Sequence, residues 1–227
     1  MSYLFAPRAP FALPITGRED LYPVSRIFCV GRNYAAHAAE MGAEVDREAP
    51  FYFTVSPHHA SLGGDVAYPD GTDDYHHEVE CVVALSGDAH QISPAQAANL
   101  VFGYGVGLDM TRRDRQAEAK ATRRPWCLGK DVEGSAILGA LTPQAEFGAV
   151  SSQEISLRVN DKLVQNSDVS LMVHSIPEII SHLSHYYHLG AGDVIMTGTP
   201  EGVGPVERGD MLQARLEGCA TLDVRFV

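Results

Sequence analysis

Glu78 and Glu80 stand on either side of Val79, immediately before the apolar residues 81–85. In an extended chain residues i and i+2 project from one face, so the two carboxylates lie side by side while Val79 and Cys81 face the other way. Buried like charges raise each other's pKa unless a divalent cation neutralises them, and an all-oxygen donor set suits Mg²⁺, Mn²⁺ or Ca²⁺ rather than zinc. A solvated strand face has the same spacing. The apolar continuation, which carries the strand into the core, adds weight to the cation site.

His37 and Glu40 are three residues apart and share a face if residues 33–41 form a helix. A carboxylate on one imidazole nitrogen selects the tautomer and makes the other nitrogen a better base, an arrangement that activates water; an ordinary surface pair has the same spacing. Asp109 precedes a basic run. Residues 112–124 hold Arg112, Arg113, Arg115, Lys120, Arg123 and Arg124 against only Asp114 and Glu118. Such an island suits a small anion such as a carboxylate, which Arg grips with two parallel hydrogen bonds, or else it is a solvated helix face. The Gly- and Pro-rich residues 197–205 permit close backbone approach to a ligand and equally a rigid turn. His182, His185 and His188 sweep around a helix among Leu183, Tyr186 and Tyr187, and read as packing residues rather than metal ligands.

These groups must be carried mainly by strands and turns. Strands are predicted at 78–85, at 155–159 pairing with 163–165 across the turn 160–162, at 194–197, and at 211–216 pairing with 221–227. Helices are few. They are predicted at 33–41, with Asn33 as N-cap and Gly42 as the stop, at 111–121, and at 175–189, which opens on the capping-box pattern Ser175-Ile176-Pro177-Glu178. No strand–helix–strand alternation is present, so the chain reads as α+β on a large mixed sheet or roll, which argues against a dinucleotide-binding fold. Gly103-Tyr104-Gly105-Val106-Gly107 lacks the glycine spacing of that fold's phosphate loop, and Gly129-Lys130 lacks the rest of a P-loop.

The chain of 227 residues is 45 % hydrophobic and 20 % charged, with 17 Lys+Arg against 29 Asp+Glu and a formal net charge of −12. That composition is globular, and its acidic excess argues against a nucleic-acid partner or a polybasic membrane anchor. Cys29, Cys81, Cys127 and Cys219 lie far apart, as reduced thiols of a cytoplasmic protein do. Arg8 and three prolines interrupt residues 1–14, so neither a signal peptide nor a membrane span is expected there.

Taken together the motifs resemble the fumarylacetoacetate hydrolase family. The matching stretches are Cys29-Val30-Gly31-Arg32-Asn33-Tyr34 with His37 and Glu40, Glu78-Val79-Glu80, Gly107-Leu108-Asp109-Met110-Thr111, Pro125-Trp126 with Lys130, and residues 194–204. They occur in the family's order, and the likeness is greatest to its short branch of acylpyruvate and fumarylpyruvate hydrolases and oxaloacetate decarboxylases. The resemblance implies a mixed β-sandwich roll with few helices, a homodimer, and one Mg²⁺ or Mn²⁺ on Glu78, Glu80 and Asp109. It also implies that His37 and Glu40 activate water and that Lys130 polarises the substrate. Arg32, Arg113, Gln116 and Thr199 would bind that substrate, Arg113 and Gln116 at its distal part and Thr199 at its carboxylate.

The activity so implied is metal-dependent hydrolysis of a carbon–carbon bond in acylpyruvates, fumarylpyruvate from aromatic catabolism being the best candidate. Decarboxylation of oxaloacetate, or a related isomerase or hydratase step, needs the same metal but no attacking water. A member that binds a metal or oxo acid without turnover is a third reading. Residues 1–65 are expected to form a small extended region packing on a catalytic mixed-β domain of residues 66–227. The chain departs from the family's pattern at Val55, where relatives commonly carry lysine, and at Ser56-Pro57-His58-His59, Gly129 and His76-His77.

Overall fold

Val79–Leu85 is apolar at every position but Glu80 because the strand is covered on both faces. Val79, Cys81, Val83 and Leu85 enter a large apolar cluster, whereas Val82 and Ala84 enter a smaller one with Ile27, Cys29, Val194 and Met196. Because alternate residues of a strand share a face, Glu80 and, two residues earlier, Glu78 continue the face of Val82 and Ala84. The pleat alone thus sets both carboxylates at the rim of the smaller core.

The computed structural model describes residues 2–42 and 46–227. Residues 1 and 43–45, part of the N-terminal region expected over 1–65, lie outside the described residues. The central sheet has eight strands, in the order Phe51–Val55, Arg26–Gly31, Asp193–Met196, Val79–Leu85, Val101–Asp109, Ala136–Leu138 and Ala60–Ser61, with Thr142–Pro143 also pairing on Val101–Asp109. It is mixed: Asp193–Met196 runs parallel to Arg26–Gly31 and antiparallel to Val79–Leu85. A five-stranded sheet, Lys162–Asp168, Glu154–Val159, Met211–Leu216, Leu222–Phe226 and Gly64–Val66, supplies Ile155, Leu157, Leu212, Val224 and Phe226 to the large cluster. Leu13 and Tyr22, from the small hairpin of Ala12–Pro14 and Leu21–Pro23, join the smaller cluster. This is the α+β architecture on a large mixed sheet that the pattern of strands implied, with the sandwich roll and few helices that the family resemblance implied.

Both predicted hairpins form, Glu154–Val159 with Lys162–Asp168 and Met211–Leu216 with Leu222–Phe226. The helices differ from expectation at their ends. Ile176–Ser184 starts as predicted, with the Ser175 N–H donating to the Glu178 carboxylate at 2.7 Å, and buries Ile176, Ile179, Ile180 and Leu183 at helical spacing. It stops at Ser184 rather than Leu189 because the Ser184 carbonyl accepts from the Gln91 N–H at 2.9 Å and Leu189 pairs with Ala89. The predicted helix 111–121 begins later, at Arg113, because Thr111 and Arg112 pair with His76 and Tyr75 as a strand. It ends on Arg123 in the left-handed conformation, φ 55°.

The run Gly103-Tyr104-Gly105-Val106-Gly107 has a packing function. Its alternate glycines lie on one face, and a Cβ on Gly103 would sit 2.4 Å from the Thr142 carbonyl oxygen, on Gly105 3.0 Å from that of Ala140, and on Gly107 2.8 Å from Val82. Residues 136–143 therefore approach this strand more closely than any side chain allows. Gly103→Ala is expected to lower stability by about 1–3 kcal/mol, since the obstacle is backbone that must move. A denaturant midpoint unchanged from the parent protein would contradict it.

Candidate active site

Asp109 ends the strand Val101–Asp109, and the register that sets Val79 opposite Leu108 brings Asp109 beside Glu78, the Asp109 N–H donating to the Glu78 carbonyl at 2.9 Å. Glu78, Glu80 and Asp109 are 5 %, 2 % and 1 % exposed, and each offers an oxygen within 4.8 Å of the others. Three buried carboxylates this close repel strongly. Part of the charge is met by protein. Lys130 Nζ lies 2.6 Å from Glu78 Oε2 and 2.9 Å from Asp109 Oδ2, Arg113 Nη2 lies 2.6 Å from Glu78 Oε1, and the Gly198 N–H donates to Glu80 Oε2 at 2.8 Å.

Two cations against three carboxylates leave a negative excess, and it falls on Glu80 and Asp109. Burial pushes the Glu80 carboxyl well above the usual carboxylate range, with the Asp109 charge adding to the effect. Burial likewise pushes Asp109 up to about 6, although Lys130 opposes it. For Glu78 burial acts in the same direction but is outweighed by Lys130 and Arg113, which hold it below its ordinary value. Burial would lower the Lys130 ammonium, yet Asp109 and Glu78 raise it overall. Asp109 Oδ1 is buried without a hydrogen-bond partner among the described residues. An orphaned carboxylate oxygen, a second carboxyl with strained ionisation and an all-oxygen donor set fit a hard divalent cation such as Mg²⁺ or Mn²⁺.

Local packing places the two cations. Lys130 ends the short helix Cys127–Lys130 and Arg113 starts the helix Arg113–Thr122. The two helices pack closely enough that a Cβ on Gly129 would lie 3.0 Å from the Gln116 backbone nitrogen. Arg113 Nη1 donates to Gln116 Oε1 at 2.8 Å, so that pair stands against Glu78 and lines the cleft as a unit.

His37 lies in the helix Ala35–Glu40, is 7 % exposed and directs Nδ1 to Glu40 Oε2 at 3.4 Å, which leaves Nε2 as acceptor when Nδ1 carries the proton. The Gly202 N–H donates to both Glu40 oxygens at 3.2 Å. Burial lowers the His37 pKa, partly offset by Glu78 and Glu40. The expected N-cap, Asn33, is not the cap: Tyr34 occupies that position without a side-chain bond. Asn33 braces the segment instead. Its Nδ2 donates to the Thr197 carbonyl at 2.8 Å and the His174 carbonyl at 3.1 Å, and its Oδ1 accepts from the His174 N–H at 2.8 Å. Gly198, with φ +98°, permits this contact, since a Cβ there would sit 2.7 Å from the Asn33 Cβ.

Arg32, His37, Glu78, Glu80, Asp109, Arg113, Gln116, Lys130 and Thr199, all read as site residues from the sequence, line one cleft, and Glu40 stands behind His37. Met41 and Phe53 also line it and had no role assigned from the sequence; Lys120, read as part of the basic run, and Trp126, of the Pro125-Trp126 stretch, line it as well. The signal for Lys120 was its place in the basic run, four residues beyond Gln116 on the same helix face. Gln165 was missed altogether. It is buried; its Nε2 donates to Thr199 Oγ1 and the Pro200 carbonyl, both at 2.9 Å, and its Oε1 accepts from the Val79 N–H at 3.1 Å. Val55 does not line the cleft: it is 1 % exposed within the smaller apolar cluster. His182 stacks on Tyr52, and His188 on His90 at 3.9 Å between ring centroids.

The sequence pattern of the family described as "Fumarylacetoacetate (FAA) hydrolase C-terminal" matches residues 26–227. A fumarylpyruvate hydrolase of Ralstonia sp is 45 % identical over 188 residues, covering 81 % of this chain and 97 % of the relative. An oxaloacetate tautomerase of Escherichia coli (strain K12) is 37 % identical over 198 residues, covering 87 % and 90 %. Among solved structures, a fumarylpyruvate hydrolase from Pseudomonas aeruginosa in complex with Mn²⁺ and pyruvate superposes with a TM-score of 0.97 at 43 % identity, covering 100 % of this chain and 99 % of that one.

Proposed function

The chain belongs to the fumarylacetoacetate hydrolase family, and from that premise we propose that it is a metal-dependent acylpyruvate hydrolase that splits fumarylpyruvate to fumarate and pyruvate in aromatic-compound catabolism. The observation that carries the reading is that a buried, under-neutralised carboxylate triad and the His37–Glu40 pair share one cleft. The similarity to fumarylpyruvate hydrolases, one of them with Mn²⁺ and pyruvate bound, supports it. In this reading residues 66–227 carry Glu78, Glu80, Asp109 and Lys130, and residues 1–65 contribute Arg32, His37 and Glu40. The protein is a cytoplasmic homodimer acting on a small oxo acid. Among the described residues no helix is long and apolar enough to cross a membrane.

Glu78, Glu80 and Asp109 would hold a divalent cation, which would supply positive charge for the 2-oxo acid end and for the departing enolate. Lys130 adds a fixed ammonium beside that end of the substrate. The Thr199 oxygen already accepts from Gln165, so its hydrogen is left to donate to the substrate carboxylate. His37 Nε2 removes a proton from water, oriented by Glu40 on Nδ1, and the hydroxide adds to the distal carbonyl carbon. The bond from that carbon to the neighbouring methylene breaks. Its electron pair stays with the methylene as pyruvate enolate, which takes up a proton to give pyruvate, and the acyl group departs with the added oxygen as fumarate.

A second reading in the family is oxaloacetate decarboxylation or tautomerisation, favoured by the Escherichia coli relative and by a triad and Lys130 that serve any enolate. Purified protein with Mg²⁺ or Mn²⁺, assayed for loss of diketo-acid absorbance and separately for oxaloacetate consumption, decides between them. No turnover of any acylpyruvate would sink the hydrolase; no turnover of either substrate would leave a binding protein.

The base must be neutral to act. Because burial holds the His37 pKa below the ordinary imidazole value, hydrolysis should be level at neutral pH and fall only as the pH drops through that lowered pKa. A kcat that instead rises on acidification through pH ~6 would contradict a neutral His37 base.

A further inference from the structure

Arg113, Gln116 and Lys120 fall on one stripe of the helix Arg113–Thr122, and all three line the cleft. Arg113 is spent on Glu78, whereas Lys120 stands about 10 Å further along the helix axis, its side chain leaning back over the cleft. Four cationic side chains, Arg32, Arg113, Lys120 and Lys130, line the cleft against the three carboxylates of the triad. Arg113 and Lys130 are paired with those carboxylates. Arg32 and Lys120 have no carboxylate partner among the described residues.

Both cations are exposed at the cleft, and each lies over an aromatic ring. Lys120 Nζ lies 5.1 Å over the Trp126 ring and Arg32 Cζ lies 6.0 Å over the Phe51 ring, and the two rings pack at 4.9 Å. Arg32 holds the left-handed conformation, φ 60°, which costs a non-glycine residue energy and marks a constrained position. Two like charges that line one cleft repel each other, and an anion between them relieves that repulsion.

We propose that Lys120 and Arg32 form a second anion subsite at the mouth of the cleft, which holds a carboxylate at the far end of the acyl chain, so that the preferred substrate is a long dianionic 2-oxo acid. The inference rests on the acylpyruvate reading and narrows its substrate class. Oxaloacetate carries its second carboxylate only two carbons from the 2-oxo acid end and falls short of this subsite. A seven-carbon chain such as fumarylpyruvate reaches it.

Trp126, the one tryptophan of the chain, lies beneath Lys120, so its fluorescence reports binding without turnover. With Mg²⁺ present, 2-oxoheptanedioate is expected to bind about ten-fold more tightly than 2-oxoheptanoate, the excess being the charged hydrogen bonds of the second carboxylate. That ratio should fall towards one in Lys120→Met and persist in Lys120→Arg. A ratio near one in the parent protein, or one that survives in both Lys120→Met and Arg32→Met, overturns the subsite. Failure of the two hypotheses is separable: a dicarboxylate preference without acylpyruvate hydrolysis keeps the subsite and removes the reaction, whereas hydrolysis without that preference does the reverse.

Discussion

Glu80→Gln is expected to weaken Mn²⁺ binding by at least about 100-fold and to reduce metal-dependent turnover by about 10²- to 10³-fold, while making the metal-free protein more stable. The opposite signs follow from one fact. Glu80 is 2 % exposed and crowded by Asp109 and Glu78, so its ionised form is tolerable only beside a cation. Glutamine keeps the shape and an oxygen that can accept from the Gly198 N–H, 2.8 Å from Glu80 Oε2, but it removes the charge that a hard cation requires. The folded pKa of Glu80 is raised, so its contribution to stability is present below the unfolded value near 4.5 and is lost as pH rises through the folded value. The gain in melting temperature of metal-free Glu80→Gln over the parent should therefore open as pH rises from about 4.5 through the folded value and level off above it. Calorimetric titration with Mn²⁺ and thermal melts with and without chelator test both halves. Parent-like affinity for Mn²⁺ would remove Glu80 from the ligand set.

His37→Ala should lower acylpyruvate hydrolysis by about 10²- to 10⁴-fold, the usual worth of a positioned general base, and leave oxaloacetate decarboxylation within a few-fold of the parent. Only hydrolysis needs a water deprotonated; decarboxylation loses carbon dioxide and draws on the triad and Lys130, which His37 does not hydrogen-bond. Folding should survive, because the segment is held by Asn33, whose bonds to Thr197 and His174 do not involve the imidazole. Parallel rate measurements on the two substrates are the check. Equal loss of both would show that His37 serves the common enolate chemistry or the architecture of the cleft.

Much of the chemistry was visible in residue spacing. Glu78-Val79-Glu80 announced two carboxylates on one strand face, His37 and Glu40 one helix face, and the apolar residues after Glu80 a strand entering the core. These are local relations, fixed by the period of a strand or a helix whatever else the chain does. Capping chemistry was legible for the same reason at Ser175 and Glu178, where donor and acceptor lie within one turn. It misled at Asn33. Its side chain was free either to cap a helix or to bind elsewhere, and the choice went to a carbonyl 164 residues away.

What spacing could not convey was register, rotation and close approach. Asp109 stands beside Glu78 because Leu108 pairs with Val79, and backbone hydrogen bonds, the same for every residue, carry almost no side-chain code for that choice. Whether the basic run was a solvated face or a cleft wall turned on the rotation of the helix Arg113–Thr122. Burial of Gln116 and Ala119 and the preceding strand Thr111–Arg112 set that rotation and swung Lys120 over Trp126. At Val55, where relatives commonly carry lysine, the sequence did not decide between a site and a structural position; it is core, two residues from Phe53, which does reach the cleft. The kinds of chemistry available were written in residue types at fixed local intervals. Which of those residues meet was settled by the pairing and packing of segments far apart in the chain, because only there do burial, charge and backbone contact compete for the same few ångströms.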